Sequence, residues 1–411
     1  MSDVKKKLVR ITTVPLSLDK ILDGQLWFMN NHYDVIAVSS EKEYLIQCAK
    51  NEGVRYKHIE MTRKITPFKD FISLLKLISF LMKEKPLIIH SHTPKAGIIA
   101  MLASKIVNVP IRLHTVGGLP LMEETGLKRK FLECIEKVTY SLSTYVFTNS
   151  NGLQNHILQN NYTSKSKIKV IGNGSSNGVD INYFSPTQVT ISDQEKLKAS
   201  LGILEDEFVY VFVGRIVADK GINELVAAFD KISAKIKDIK LLLVGKEEAD
   251  LDPLKKVTLD IISKNKQILT VGFQKDIRPY LSISNVMVFP SYREGFPNVL
   301  LQAGAMGLPV IASDINGCNE IISHGLNGIL IPKKSTSAIE NAILYIKFDE
   351  ECFDKLQSNS RIMIINRFER KVICETILDE YKNMEKNCST KPKKHFVFGG
   401  KNGQIDHHFP I

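Results

Sequence analysis

Short apolar, β-branched runs alternate with stretches of helical spacing along most of the chain. In the first half the strand-like runs are Val9–Val14, Asp34–Ser39, Leu87–His92, Ile111–Thr115 and Tyr145–Asn149. Helical patterns lie between them at about Asp19–Asn30, Phe68–Lys83, Ala96–Val107 and Phe131–Ser141. In Phe68–Lys83 the apolar positions Phe71, Leu74, Leu75, Ile78 and Met82 recur at helical spacing, which predicts a helix. The VIAV run inside Asp34–Ser39 is continuous, as in a parallel strand buried on both sides. The second half repeats the scheme with strands at Phe208–Val213, Lys240–Val244, Ile268–Val271, Val286–Phe289, Val310–Ala312 and Gly328–Ile331. Helices are expected there at about Ile222–Ile236 and Asn298–Met306. Such alternation signals βαβ units and parallel sheets.

Between the halves, Ile171–Pro186 (IGNGSSNGVDINYFSP) is rich in Gly, Asn and Ser and has no period, as expected of a linker. The 411-residue length suits two domains. The expected division is 1–185, 186–386 with a last helix that can pack back on the first domain, and a loosely ordered tail 387–411. The fold class is α/β, with two doubly wound parallel sheets facing across a cleft.

Composition narrows the function classes. Hydrophobic residues make up 44% and charged residues 24%, which excludes wholesale disorder. The longest apolar stretch, Phe71–Met82, contains Lys76 and falls short of the roughly 20 residues of a membrane span. The N-terminus shows no secretory pattern, and no two of the six cysteines have C-x2-C spacing, so a cytoplasmic protein is expected. Net charge is +11, and it is uneven. Residues 1–185 hold 25 Lys+Arg against 15 Asp+Glu, whereas residues 186–411 hold 30 against 29. A basic half suits an anionic membrane surface or a nucleic acid. The aromatics do not interleave with the basic clusters, which disfavours nucleic acid.

Two loops carry candidate chemistry. After Phe208–Val213 comes GRIVADKG, with Gly214 at the strand end and Arg215 and Lys220 beside a helix start. Two cations and a helix N-terminus suit a diphosphate. After Val286–Phe289 comes SYREGFPNVLLQ. There Glu294 stands on the loop, Gly295 allows close backbone approach, Pro297 fits a helix start and Gln302 follows eight positions later. A carboxylate and an amide so placed can grip hydroxyls of two connected moieties, such as a sugar and a ribose.

These loops, the KLLLVG strand and VGFQKDIRPYLSISNVMVFPSYREGFPNVLLQAGAMGLPVIASDINGCNEII together resemble the GT-B retaining glycosyltransferases of family 4, over about Gly202–Pro332. HSHTPKAG, PIRLHTVGGLP and NGVD in the first half agree with the subgroup that builds bacterial capsular or O-antigen glycans on a polyprenyl-diphosphate carrier. The resemblance implies that Arg215 and Lys220 bind the donor diphosphate and that Glu294 holds donor-sugar hydroxyls. It implies that Gly295, Phe296, Pro297 and Asn298 line sugar and phosphate, with Val299 and Leu300 at the helix start near the phosphate. It also implies a nucleotide-sugar donor, read here as a UDP-sugar, a lipid-diphosphate glycan acceptor, and no metal or other cofactor.

Two positions depart from the family. Gln302 replaces the second glutamate of its E-x7-E motif, which suits a neutral ribose contact rather than acid or base work. TTVPLSL (Thr12–Leu18) replaces the glycine-rich loop after the first strand. The family histidine that lines the donor sugar falls at His114 or, in another alignment, at Gly117. His90 and His92 are expected to face opposite ways, with His92 directed into the cleft. Asp250-x-Asp252 and the tail pair His407–His408 are set aside as metal sites.

The expected reaction is therefore retaining sugar transfer, with front-side attack and no protein nucleophile. A GT-B epimerase or hydrolase acting on a UDP-sugar remains the alternative enzyme, and a nucleic-acid-binding protein the alternative outside enzymes. The lysine-punctuated stretches 62–86 and 126–138 are expected to attach to the inner face of the membrane, unless both bury their apolar faces in the first domain.

Overall fold

A computed structural model describes residues 5–248 and 252–389. The first sheet contains β1 (Lys7–Ile11), β2 (Asp34–Ser39), β3 (Arg55–His58), β4 (Ile88–Ser91), β5 (Ile111–Val116), β6 (Tyr145–Thr148) and β7 (Ile168–Val170), in the order β3-β2-β1-β4-β5-β6-β7. The second contains β8 (Phe208–Val213), β9 (Ile239–Val244), β10 (Ile268–Gly272), β11 (Val286–Phe289), β12 (Val310–Ser313) and β13 (Gly328–Ile331), in the order β10-β9-β8-β11-β12-β13. Every strand pairing is parallel. Each sheet reverses its winding once, between β1 and β4 and between β8 and β11. In such sheets ligands bind beyond the strand C-termini at the reversal.

The central strands are apolar on both sides because helices cover both faces. From Val209 to Val213, for example, β8 is wholly buried. The expected helix near Asp19–Asn30 is two helices, Pro15–Ile21 and Gln25–Asn30, because Gly24 adopts a φ of +71° between them. Helix Pro67–Glu84 divides the apolar positions of its helical spacing, with Leu74 and Ile78 packed on the core. It buries Ser73, Leu77 and Leu81, while Phe71, Leu75 and Met82 are exposed. The helix is apolar nearly all round, so packing against helix Pro94–Ile106 chooses the side.

The chain crosses between domains twice, at one place. Val179 N–H donates to Phe368 O (2.9 Å) and Arg370 N–H donates to Val179 O (2.9 Å). A Cβ on Gly178 would lie 2.4 Å from Phe368 O, so the crossing needs glycine there. Beyond it, helix Arg370–Ser389 packs on the first domain. Its Ile373, Ile377, Leu378, Tyr381 and Met384 share a core with Leu8, Leu26, Met29 and Val35. By packing, residues 370–389 therefore go with the first domain, and 387–389 continue that helix. Asp250 and His407–His408 lie outside the described residues.

Candidate active site

The β8 and β11 loops meet at the reversal of the second sheet. After Gly214 the chain runs through Arg215 to a 3-10 turn, Ala218–Lys220, and Gly221. Gly221 has φ +72°, and a Cβ there would sit 2.2 Å from Pro290 O. This contact brings the two loops together. Lys220 Nζ lies 2.5 Å from Glu294 Oε1, with both side chains 15% exposed. The turn is held from three sides. Asp219 N–H donates to Asp252 Oδ2 (2.6 Å), Tyr292 N–H donates to Asp219 O (2.9 Å), and Arg293 Nη2 donates to Asp219 Oδ2 (2.8 Å). Asp252, half of the D-x-D sequence, is thus a buttress of the lysine turn.

Around this pair the other expected residues divide. Gly295 touches the first domain: a Cβ on it would lie 2.3 Å from Gly117 O. Phe296 is buried edge-on to Phe368 (5.6 Å between ring centroids). Pro297 caps helix Asn298–Ala305, whose first N–H groups, at Asn298 and Val299, have no intrahelical partner. Leu300 points into the core, and its N–H donates to Pro297 O. Its side chain therefore cannot line a ligand. Gln302 is half-buried on the same helix. Gly214 backs onto the β9 loop, since a Cβ on Gly245 would lie 1.7 Å from Gly214 O. Arg215 is 45% exposed at the mouth, with Nη1 3.4 Å from Glu248 Oε2.

The opposite wall is the C-terminal edge of the first sheet. His90 and His92 stack, with ring centroids 4.1 Å apart. Their expected opposite orientation is wrong, because residues two apart on a strand share a face. His92 is 7% exposed, and neither ring nitrogen has a partner. His90 bonds Tyr381 Oη and Thr115 Oγ1, each at 2.6 Å. Burial, then neighbouring positive groups, hold both rings well below the ordinary histidine pKa. His114 is buried beneath helix Pro94–Ile106, with Nδ1 2.8 Å from Ser91 Oγ and Gly97 against its ring. Burial lowers its pKa to about 4. In TTVPLSL, Thr13 closes onto the end of β4 through Thr93 Oγ1 (2.8 Å to its hydroxyl, 2.9 Å to its N–H).

The second domain matches the Glycosyl transferases group 1 family over residues 193–363, and the first matches the Glycosyl transferase 4-like domain over residues 30–174. The capsular polysaccharide biosynthesis glycosyltransferase CapM of Staphylococcus aureus is 34% identical over 388 residues, covering 94% of this chain and 99% of CapM. The chain belongs to the GT-B glycosyltransferases.

Its fold agrees. A glycosyltransferase from Rickettsia africae superposes with a TM-score of 0.77 at 22% identity, covering 93% of this chain and 99% of that one. A second relative, the Escherichia coli UDP-Gal:alpha-D-GlcNAc-diphosphoundecaprenol alpha-1,3-galactosyltransferase, is 30% identical over 87% of this chain and 91% of its own length. In this glycosyltransferase, Asp219 and Arg293, which hold the lysine turn, carry no sequence signal, and Asp252 stood out only as half of a D-x-D sequence. Sequence reasoning also missed Arg10, buried beneath the first sheet's edge with Nη1 2.8 Å from Tyr381 Oη. Only a lone arginine within an apolar strand pointed to it.

Proposed function

We propose that this glycosyltransferase is a retaining family 4 enzyme of surface-polysaccharide synthesis. It moves a hexosyl or N-acetylhexosaminyl group from a UDP-sugar to a polyprenyl-diphosphate-linked glycan. The Lys220–Glu294 pairing at the β8/β11 reversal carries the reading, because it joins a phosphate-binding cation to a hydroxyl-binding carboxylate. The donor and acceptor named for the Escherichia coli relative support the class of both substrates, and the name of CapM supports capsular polysaccharide synthesis.

In this reading the sugar–diphosphate bond breaks with oxocarbenium character at the anomeric carbon. Negative charge grows on the departing diphosphate. Lys220, Arg215 and the N–H groups at Asn298 and Val299 stabilise it without a metal. The acceptor hydroxyl attacks from the same face, and a diphosphate oxygen takes its proton. Glu294 holds sugar hydroxyls and Gln302 a ribose hydroxyl. His92, neutral and without a partner, offers a hydrogen bond from the acceptor wall.

The enzyme works at the cytoplasmic face of the membrane. No helix among the described residues is long and apolar enough to cross it. Helices Pro67–Glu84 and Gly126–Leu142 instead expose Phe68, Phe71, Leu75, Leu127 and Phe131 among Lys64, Lys69, Lys76, Lys128 and Lys130. Apolar side chains among cations suit an anionic leaflet, where each nearby cation contributes roughly 1 kcal/mol.

The test offers labelled UDP-galactose, UDP-N-acetylglucosamine and UDP-N-acetylgalactosamine with a short-chain polyprenyl-diphosphate N-acetylglucosamine. A product with the donor's anomeric configuration supports the reading. Donor consumption without an acceptor product supports the epimerase or hydrolase instead.

A further inference from the structure

Between Glu294 and the first domain stands a segment that the donor site does not use. Asn316 Nδ2 donates to Gly295 O (3.0 Å) and lies 3.2 Å from Glu294 O. The same amide reaches Ser150 Oγ of the first domain at 3.2 Å. One side chain thus holds the backbone of the β11 loop and the opposite wall together. Four residues on, Glu320 spans the same gap. Its Oε2 accepts from Asn151 N–H (2.7 Å) and Asn151 Nδ2 (3.0 Å), and its Oε1 accepts from Gly152 N–H (3.1 Å). The two backbone donors, at Asn151 and Gly152, are first-turn N–H groups of helix Asn151–Gln159, which lack intrahelical partners and favour a negative charge.

Glycine makes the approach possible. A Cβ on Gly152 would lie 1.7 Å from Asn316 Oδ1. Gly317, at φ +79°, would place a Cβ 2.4 Å from Gly295 O. The segment is also tied to the crossing point. Arg367 Nη1 donates to Ile321 O (3.2 Å) and Nη2 donates to Glu320 O, one residue before Phe368 pairs with Val179.

We propose that Asn316 and Glu320 form an interdomain latch. They are positioning residues that lock the Glu294–Gly295 loop in place when the cleft closes and release it when the cleft opens. Contacts made only in the closed form shift the open–closed balance by their whole free energy. The latch goes beyond the proposed reaction, since it needs only a two-domain cleft and not a particular donor or acceptor.

Gly152→Ala is the sharpest test. Its new methyl displaces Asn316 only in the closed form, and alanine suits a helix start better than glycine. The expected result is unchanged or raised thermal stability, a larger radius of gyration in small-angle X-ray scattering, and a kcat about tenfold lower where transfer is assayed. UDP affinity by calorimetry should change less than twofold, because the expected UDP contacts lie on the second domain. Glu320→Ala should open the molecule similarly, and Glu320→Gln, which keeps one acceptor oxygen, should fall between it and the natural protein. Natural compactness in both Gly152→Ala and Glu320→Ala overturns the latch. Scattering needs no turnover, so failure of the transferase reading would leave this outcome intact and separately readable.

Discussion

Lys220 and Glu294, 74 residues apart in sequence, share an ion pair 2.5 Å long at the reversal of the second sheet. In the proposed reaction each has another partner, the diphosphate for the lysine and sugar hydroxyls for the carboxylate. The pair therefore keeps both charges compensated until the donor arrives. Removing one partner strands the other, a large cost for half-buried charges.

Lys220→Ala is expected to slow transfer by about 10²–10³, the scale for losing one charge-stabilising group. Arg215→Ala should lose less, because Arg215 stands at the exposed mouth. Glu294→Gln should slow transfer yet tighten binding of UDP alone by about threefold to tenfold, because it removes a negative charge beside the diphosphate. Steady-state rates and UDP calorimetry check both. Natural turnover in Lys220→Ala would remove the phosphate assignment.

Asp252 gives a test of the metal question. Its carboxylate accepts one N–H, from Asp219 (2.6 Å). Asn can replace that acceptor and Ala cannot. Asp252→Asn should keep activity within about threefold, whereas Asp252→Ala should lose about tenfold, the rate equivalent of one lost hydrogen bond. Activity should persist in EDTA. A requirement for Mg²⁺ or Mn²⁺, or an inactive Asp252→Asn, would reverse this account.

Tyr381 joins the last helix to the first sheet, bonding both Arg10 Nη1 (2.8 Å) and His90 Nδ1 (2.6 Å). Tyr381→Phe leaves two buried polar groups without that oxygen. Urea unfolding should show a loss of about 1–3 kcal/mol. A neutral result would mean that the network relaxes around the gap.

His114 sets a pH dependence. Its pKa falls from 6.5 to about 4 on folding because burial disfavours the charged ring. The unfolded chain therefore binds more protons between those values, and stability drops as pH falls from 6.5 toward 4. His90 and His92 act in the same direction. Denaturation midpoints across this range should decline, and His114→Gln should reduce the slope by up to about 1.4 kcal/mol per pH unit.

The exposed face of helix Pro67–Glu84 predicts vesicle behaviour. The protein should float with anionic vesicles at low salt and leave them at high salt. Phe68→Glu with Leu75→Glu should abolish flotation while changing stability by only about 0.5 kcal/mol each, since both side chains are exposed. Flotation that ignores salt and these substitutions would refute attachment through this face.

The amino-acid sequence by itself determined the central strands and the order of their βαβ units, because a parallel strand covered on both sides must be a short continuous apolar run; it did not show the edge strands β3, a polar run RYKH, and β7, three residues long. It also marked the two loops that meet in the cleft, through Gly214, Arg215 and Lys220 in one and Glu294, Gly295 and Pro297 in the other. It could not choose the buried side of helix Pro67–Glu84, whose apolar residues surround it. Nor could it reveal that Arg10 meets Tyr381, 371 positions away, or that Asn316 and Glu320 reach Ser150 and Gly152. Those pairings leave no period in the sequence. They exist only because the chain crosses back at Phe368–Arg370 and sets one domain against the other, so the tertiary structure alone decided them.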